Sequence, residues 1–138
     1  QRQMCIRDRE VRIYQLQMLD ATPFTGGDLK IGDKMVFSPM TQKTEDYEQV
    51  ESFIAKPYFL QQVMNGKHRW WGFTKVVDRN KKAYESVSHI AWNIPIPNAE
   101  HDEYMVANKF VQKVLEDKIS SSREMINSQV LTLVYNND

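Results

Sequence analysis

His89 and Asn93 stand four residues apart in the run VSHIAWNIPI at residues 87–96. Alternation along a strand puts them on one face with Val87 and Ala91. A histidine in that setting can act as a general base near neutral pH, and an amide beside it can orient a substrate carbonyl or an oxyanion. The plainer reading makes His89 a hydrogen-bonded histidine at an interface between two copies of the chain. A second cluster, His68, Arg69, Trp70 and Trp71, opens the run at residues 68–77. There Trp71 shares a face with Phe73, and Trp70 with Gly72 and Thr74, while Gly72 leaves room for a ligand or a close backbone approach. An aromatic wall of this kind suits a ring-binding pocket; its structural alternative is one tryptophan in the core and the other at an interface.

Other chemistries lack their residues. His101, before Asp102 and Glu103, reads as a solvated helix entry, and no helical His-x-x-x-His or comparable spacing marks a metal site. Ser120 to Ser122 lie outside any Gly-x-Ser-x-Gly elbow. Gly26-Gly27 has neither the lysine nor the strand-to-helix context of a phosphate loop.

The elements that must position these side chains follow from hydrophobic periodicity. Residues 10–19 read as a strand, and residues 20–33, with Pro23, Gly26, Gly27 and Gly32, as a loop. Residues 35–40 form a short strand, in which Pro39 argues for an edge or a strand end. Tyr47, Val50, Ile54 and Tyr58 recur at helical steps across residues 44–64, with Asp46 and Gln49 as a capping pair and Pro57 as a kink or break. Asn65-Gly66 ends that helix. Ala107, Phe110, Val111, Val114, Leu115 and Ile119 mark a second helix, Ser121 with Glu124 a capping box for a further turn, and residues 129–135 a closing strand.

From about residue 33 the order is strand, helix, strand, strand, helix, strand. The fold class expected is α+β: a ferredoxin-like βαββαβ antiparallel sheet covered by two helices on one face, with an extra N-terminal strand. That strand and its loop, residues 10–32, stand as an added edge or as the tail of a truncated repeat; residues 33–138 form the domain. The bulky side of the third strand of that unit, Ile90, Trp92, Ile94 and Ile96, is expected against the helices, since burying each large side chain contributes roughly 1.5–3 kcal/mol. His89 and Asn93 would then look out of the uncovered sheet face.

Composition bounds the partners. A chain of 138 residues, 41% hydrophobic, fits one core. Its 18 basic and 18 acidic residues leave no net field for a nucleic-acid backbone, so no nucleic acid is expected. No run reaches the ~20 apolar residues of a membrane helix, so no membrane is expected and the chain reads as soluble. Residues 1–9, QRQMCIRDR, lack periodicity and resemble translated adaptor sequence; they are set aside as a sequencing artefact or disordered. Without them 15 basic residues face 17 acidic ones and the single cysteine, Cys5, is gone. If the gene starts upstream, a signal for export or a preceding domain is missing, so localisation stays open between cytoplasm and export.

Lys56-Pro57-Tyr58, then GKHRWWGF at residues 66–73, then SHIAWN at residues 88–93 resemble the dimeric α+β barrel superfamily. Its members include antibiotic-biosynthesis-type monooxygenases, the EthD group, NIPSNAP proteins and many bacterial proteins. The likeness spans residues 33–135 in element order and in the helix, glycine, strand, hairpin layout. It implies a homodimer in which the uncovered faces of two sheets enclose a barrel that holds a small molecule. Carried onto this chain, it makes His89 and Asn93 candidate catalytic residues. Trp70, Trp71, Phe73, His68 and Tyr58, the last at a polar rim, become candidate substrate-binding residues. The implied function is small-molecule binding, with a cofactor-independent monooxygenase or a proton-transfer enzyme acting on an apolar or aromatic substrate as its catalytic form. A non-catalytic ligand-binding or stress-response dimer is the alternative. No cofactor or metal is predicted, although haem is compatible with His89 or His68 as axial ligand.

Overall fold

The computed structural model describes residues 11–103 and 108–134. Six strands, β1 (Tyr14–Ala21), β2 (Lys34–Gln42), β3 (His68–Arg79), β4 (His89–Pro95), β5 (Arg123–Met125) and β6 (Gln129–Thr132), form one antiparallel sheet. Their order is β1-β3-β4-β2-β5, with β6 also paired to β2. The sequence-predicted N-terminal strand is therefore an edge strand on β3. Its following loop is held by the buried Arg69, whose Nη1 donates to the carbonyls of Gly26 and Gly27 and whose Nη2 lies 3.7 Å from Asp33 Oδ2. Residues 1–9 and Ala107 and Tyr135 lie outside the described residues.

Pro39 is not at an edge, because β2 has neighbours on both sides. β6 pairs with Lys34 to Phe37 and β5 with Met40 to Gln42, so Ser38 and Pro39 fall in the gap between the two short strands. Pro39 still accepts from the Ile126 N–H at 2.8 Å, and the donor it lacks is one the gap does not need.

The first helical segment has three parts: α1 (Tyr47–Val50), a π-helical turn (Glu51–Ala55) and α2 (Lys56–Met64). Proline has no N–H for the carbonyl four residues back. The chain meets Pro57 by widening into the π turn and placing the proline in the first turn of α2. Asp46 does not cap α1 through its side chain, which instead pairs with Lys118 at 2.7 Å and accepts from Thr44 at 2.7 Å. Gly66, at φ 72°, ends α2. The second helix, α3 (Lys109–Ser122), is capped by Asn108, which accepts from the Val111 N–H at 2.9 Å. The capping box expected at Ser121 is absent: Ser121 lies in the last turn of α3, and after Ser122 the chain turns directly into β5.

The two sheet faces are the reverse of the sequence expectation. Met40, Tyr47, Ala55, Trp71, Phe73 and Ala91, with Phe59 and Ile119, form the core under the helices. Ile90, Trp92 and Val87 belong to a second cluster with Tyr14, Leu16, Phe37, Val76 and Ile126, made only of strand and loop residues. The bulky side of β4 thus faces away from the helices, and His89, Ala91 and Asn93 lie beneath them. The physical reason is volume. Trp71 and Phe73 on β3 and Tyr47 and Phe59 from the helical segment already fill the layer, so the strand beside β3 must contribute small side chains there, of which Ala91 is the centre. Residue size marks both faces of β4 as buried without saying which one a helix covers.

Candidate functional site

Between α3 and the sheet the packing is incomplete. Along α3 only Ser122 is fully buried, and a cavity of about 410 Å³ remains beneath the helix. Tyr58, Phe59 and Trp71 form its aromatic wall, and Met40, Ile54, Leu115, Ile119 and Met125 its aliphatic one. Ser38, Glu51, Asn93 and Arg123 supply polar groups within it, and Ala55, Ala91, Asp102, Glu103, Gln112 and Glu116 complete the lining. An apolar cavity with a few convergent polar groups is the usual form of a small-molecule site.

Four side chains form a continuous chain whose two ends, Tyr58 and Asn93, both line the cavity. Tyr58 Oη lies 3.2 Å from His101 Nδ1, His101 Nε2 lies 3.2 Å from His68 Nδ1, and His68 Nε2 lies 2.9 Å from Asn93 Oδ1. The directions follow from one end. An amide oxygen can only accept, so His68 carries its proton on Nε2 and accepts on Nδ1. His101 then donates from Nε2, accepts on Nδ1, and takes the Tyr58 hydroxyl proton. Burial, the largest influence, lowers the His68 pKa to about 4, and burial likewise lowers that of His101, so both imidazoles are neutral near pH 7, as this chain of donors requires. With Oδ1 held by His68, the amide nitrogen of Asn93 has no hydrogen-bond partner among the described residues.

His101 reaches this network because its loop is fastened to α2. Asp102 N–H donates to Gln62 Oε1 at 2.8 Å, Gln62 Nε2 donates back to the Asp102 carbonyl at 3.0 Å, and Asn65 Nδ2 donates to Asp102 Oδ2 at 3.0 Å. No sequence signal places this loop there. The solvated helix entry expected at His101 is instead an exposed residue tied to two others.

Glu51 is the second group that sequence reading passed over. It is 2% exposed, sits in the π turn and belongs to the cavity wall. Its Oε1 accepts from Tyr47 Oη at 2.9 Å and lies 2.9 Å from Arg123 Nε, an ion pair in which the N–H is not aligned on the oxygen. Desolvation by burial is the largest influence on its carboxyl and raises it, against the opposing charge of Arg123. The signal was present: Glu51 falls four residues after Tyr47 on the stripe of Tyr47, Ile54 and Tyr58, where a charge is out of place.

Of the sequence-predicted site residues, Asn93, Trp71 and Tyr58 meet at the cavity, and His68 stands behind it. Phe73 is buried and stacked on Trp71 at 6.2 Å and on His89 at 5.2 Å. His89 is enclosed by Phe73 and Tyr47, with Nε2 3.0 Å from Glu48 Oε1 and Nδ1 2.9 Å from Ser88 Oγ. It lines neither this cavity nor the trough on the opposite sheet face. Both ring nitrogens of His68 and of His89 are engaged, so neither fits axial ligation of haem. Among the described residues no group of three or more His, Cys, Asp or Glu side chains could hold a metal ion.

Trp70 lies on the opposite sheet face. That face carries an apolar trough of about 690 Å³ with Tyr14, Leu16, Phe37, Ile90 and Trp92 in its lining and Arg12 and Tyr84 among its polar groups. Phe37 and Trp92 pack at 5.4 Å, and Trp92 Nε1 donates to Thr74 Oγ1 at 3.0 Å, which satisfies the indole on an apolar surface.

No family model, no curated protein and no solved structure matches the chain. The fold class is α+β, and among the described residues no helix is long and apolar enough to cross a membrane.

Proposed function

We propose that this chain binds a small organic molecule in the cavity between helices and sheet, an apolar or aromatic compound with one oxygen that accepts a hydrogen bond. The observation that carries this reading is the fixing of Asn93. His68 holds its carbonyl oxygen, so a planar group that could otherwise flip keeps its amide N–H available in a cavity whose walls are largely aromatic and aliphatic, with Ser38, Glu51 and Arg123 as further polar groups. A fixed donor in an apolar surrounding recognises an oxygen far better than one in water does.

The strand order from β2 onward, with β5 and β6 sharing the place of a last strand, supports a ferredoxin-like βαββαβ unit. The apolar trough on the uncovered face supports homodimerisation through that face, so that the ligand cavity and the dimer surface lie on opposite sides of the sheet. As an enzyme, such a protein moves a proton on its ligand or lets oxygen react with it without a cofactor.

Coumarin, a flat aromatic lactone, tests the site. Titrated into isotope-labelled protein, it is expected to shift the Asn93 side-chain amide and the Trp71 indole resonances to saturation. Asn93→Ala weakens binding by roughly 2–10-fold, the value of one hydrogen bond. Leu115→Trp, which fills the cavity, abolishes it. Equal titrations of the wild type and the Leu115→Trp variant would refute the reading.

A further inference from the structure

We propose that Oε2 of Glu51 is the proton-accepting atom of this cavity, a carboxylate base for a carbon acid whose oxygen is held by Asn93. The inference rests on the binding reading above and deepens it from a site to a reaction.

The two oxygens of Glu51 are paired unequally. A carboxylate paired with an arginine frequently meets the guanidinium with both oxygens, as a fork on a fork. Here Oε1 accepts from the Tyr47 hydroxyl and only stands beside Arg123 Nε, each at 2.9 Å, with the Nε–H not aligned on it. Oε2 has no hydrogen-bond partner among the described residues, although the residue is 2% exposed. Oε2 is not among the fully buried atoms that lack a partner, so it keeps surface open to the cavity that Glu51 lines, and an ionised oxygen so placed is held less well than one that is fully hydrogen-bonded. The turn that carries it is π-helical, a distortion that recurs at functional sites. Burial also raises the Glu51 carboxyl above the ordinary carboxylate range, which makes it a stronger base than a solvated glutamate.

The step balances within the cavity. A C–H bond next to a carbonyl breaks, its proton passes to Glu51 Oε2, and its electron pair moves onto the carbonyl oxygen as an enolate. The enolate accepts from the Asn93 amide. Arg123, whose partner has just become neutral, supplies the compensating positive charge. Return of the proton to another carbon completes an isomerisation that consumes no oxidant, reductant or cofactor. The substrate class is a small, largely apolar carbonyl compound with an acidic C–H.

A nitro-substituted benzisoxazole serves as probe for such a base. Removal of its single acidic proton sends the C–H electron pair into the ring C=N bond to make a nitrile, and the N–O bond breaks with its electrons on oxygen, releasing a coloured phenolate whose oxygen Asn93 can stabilise. The whole 138-residue chain is expected to turn it over with a rate that rises with pH through a midpoint above the ordinary carboxylate range. Glu51→Gln is expected to lower the rate at least about tenfold, and Glu51→Asp, which keeps the charge beside Arg123 but withdraws the oxygen by one methylene, to lower it comparably. If Glu51→Gln does not fold, Glu51→Asp decides alone. Probe-induced shifts at Asn93 with equal rates in wild type and the folded variants overturn the base and leave the binding site standing. Absence of any shift at Asn93 overturns both.

Discussion

The ring of Trp70 occupies the space directly over Gly72, so that a methyl group added to the glycine would stand 2.3 Å from Cη2 of the indole. The room that the sequence reading left for a ligand at Gly72 is taken by the neighbouring side chain on the same face. Gly72→Ala must therefore push Trp70 off the sheet, and overpacking of this kind costs roughly 1–3 kcal/mol. Urea denaturation would show the loss, with a change in the native indole emission. Unchanged stability would mean that the ring does not rest there.

His89 was the sharpest chemical candidate in the sequence, and its surroundings give it a structural task. Its ring fills the layer between Tyr47 and Phe73 and bridges Ser88 to Glu48. His89→Ala leaves a void and removes both contacts, and the expected cost is about 2–4 kcal/mol. The coumarin titration is expected to stay as in the wild type. Weakened binding at full stability would return His89 to the site.

How far the sequence could be read is clearest on β4. Alternation separated His89, Ala91 and Asn93 from Ile90, Trp92 and Ile94, and the periodicity implied the mixture of strands and helices that makes the fold α+β. The inversion of the faces came from a quantity that alternation does not contain. A sheet buried on one side by helices and carrying an apolar trough on the other presents bulky residues to both, and only the volume already filled by Trp71, Phe73 and Tyr47 decides where the smaller set goes. Tyr58 and Trp71 were legible because each sits on a regular element. His101 was not, since its place depends on hydrogen bonds from Gln62 and Asn65 across a loop with no local signature.

The trough predicts self-association. Met35 pairs with Leu131 and Phe37 with Gln129 across β2 and β6, so Leu131 shares the face of Phe37 and Trp92. Leu131 is exposed in the single chain, so replacing it should not disturb the protomer. Sizing chromatography at micromolar concentration is expected to show a dimer, and Leu131→Glu a monomer with an unchanged melting temperature. A wild type that elutes as a monomer throughout would remove the dimer from the reading.

The coupled imidazoles make stability fall in acid with a calculable sign. Burial lowers His68 from 6.5 to about 4, so the folded state binds fewer protons than the unfolded one inside that window. Its contribution is complete above 6.5 and is lost as pH falls toward about 4. His89 and His101 are lowered by burial as well and act in the same direction. Glu51 acts in the other, because a raised carboxyl contributes stability at low pH that is lost as pH rises through its folded value. The measurable quantity is the slope of unfolding free energy against pH between about 6 and 4.5, in which each proton taken up on unfolding counts about 1.4 kcal/mol per pH unit. His68→Gln keeps an amide donor for Asn93 but does not titrate, and it should reduce that slope by as much as one proton. It should also loosen the hold on Asn93 and weaken coumarin binding at pH 7, above the window in which His68 contributes to the slope. An identical slope in the two proteins would mean that His68 titrates alike folded and unfolded, which a ring enclosed between Phe59, His101 and Asn93 cannot do.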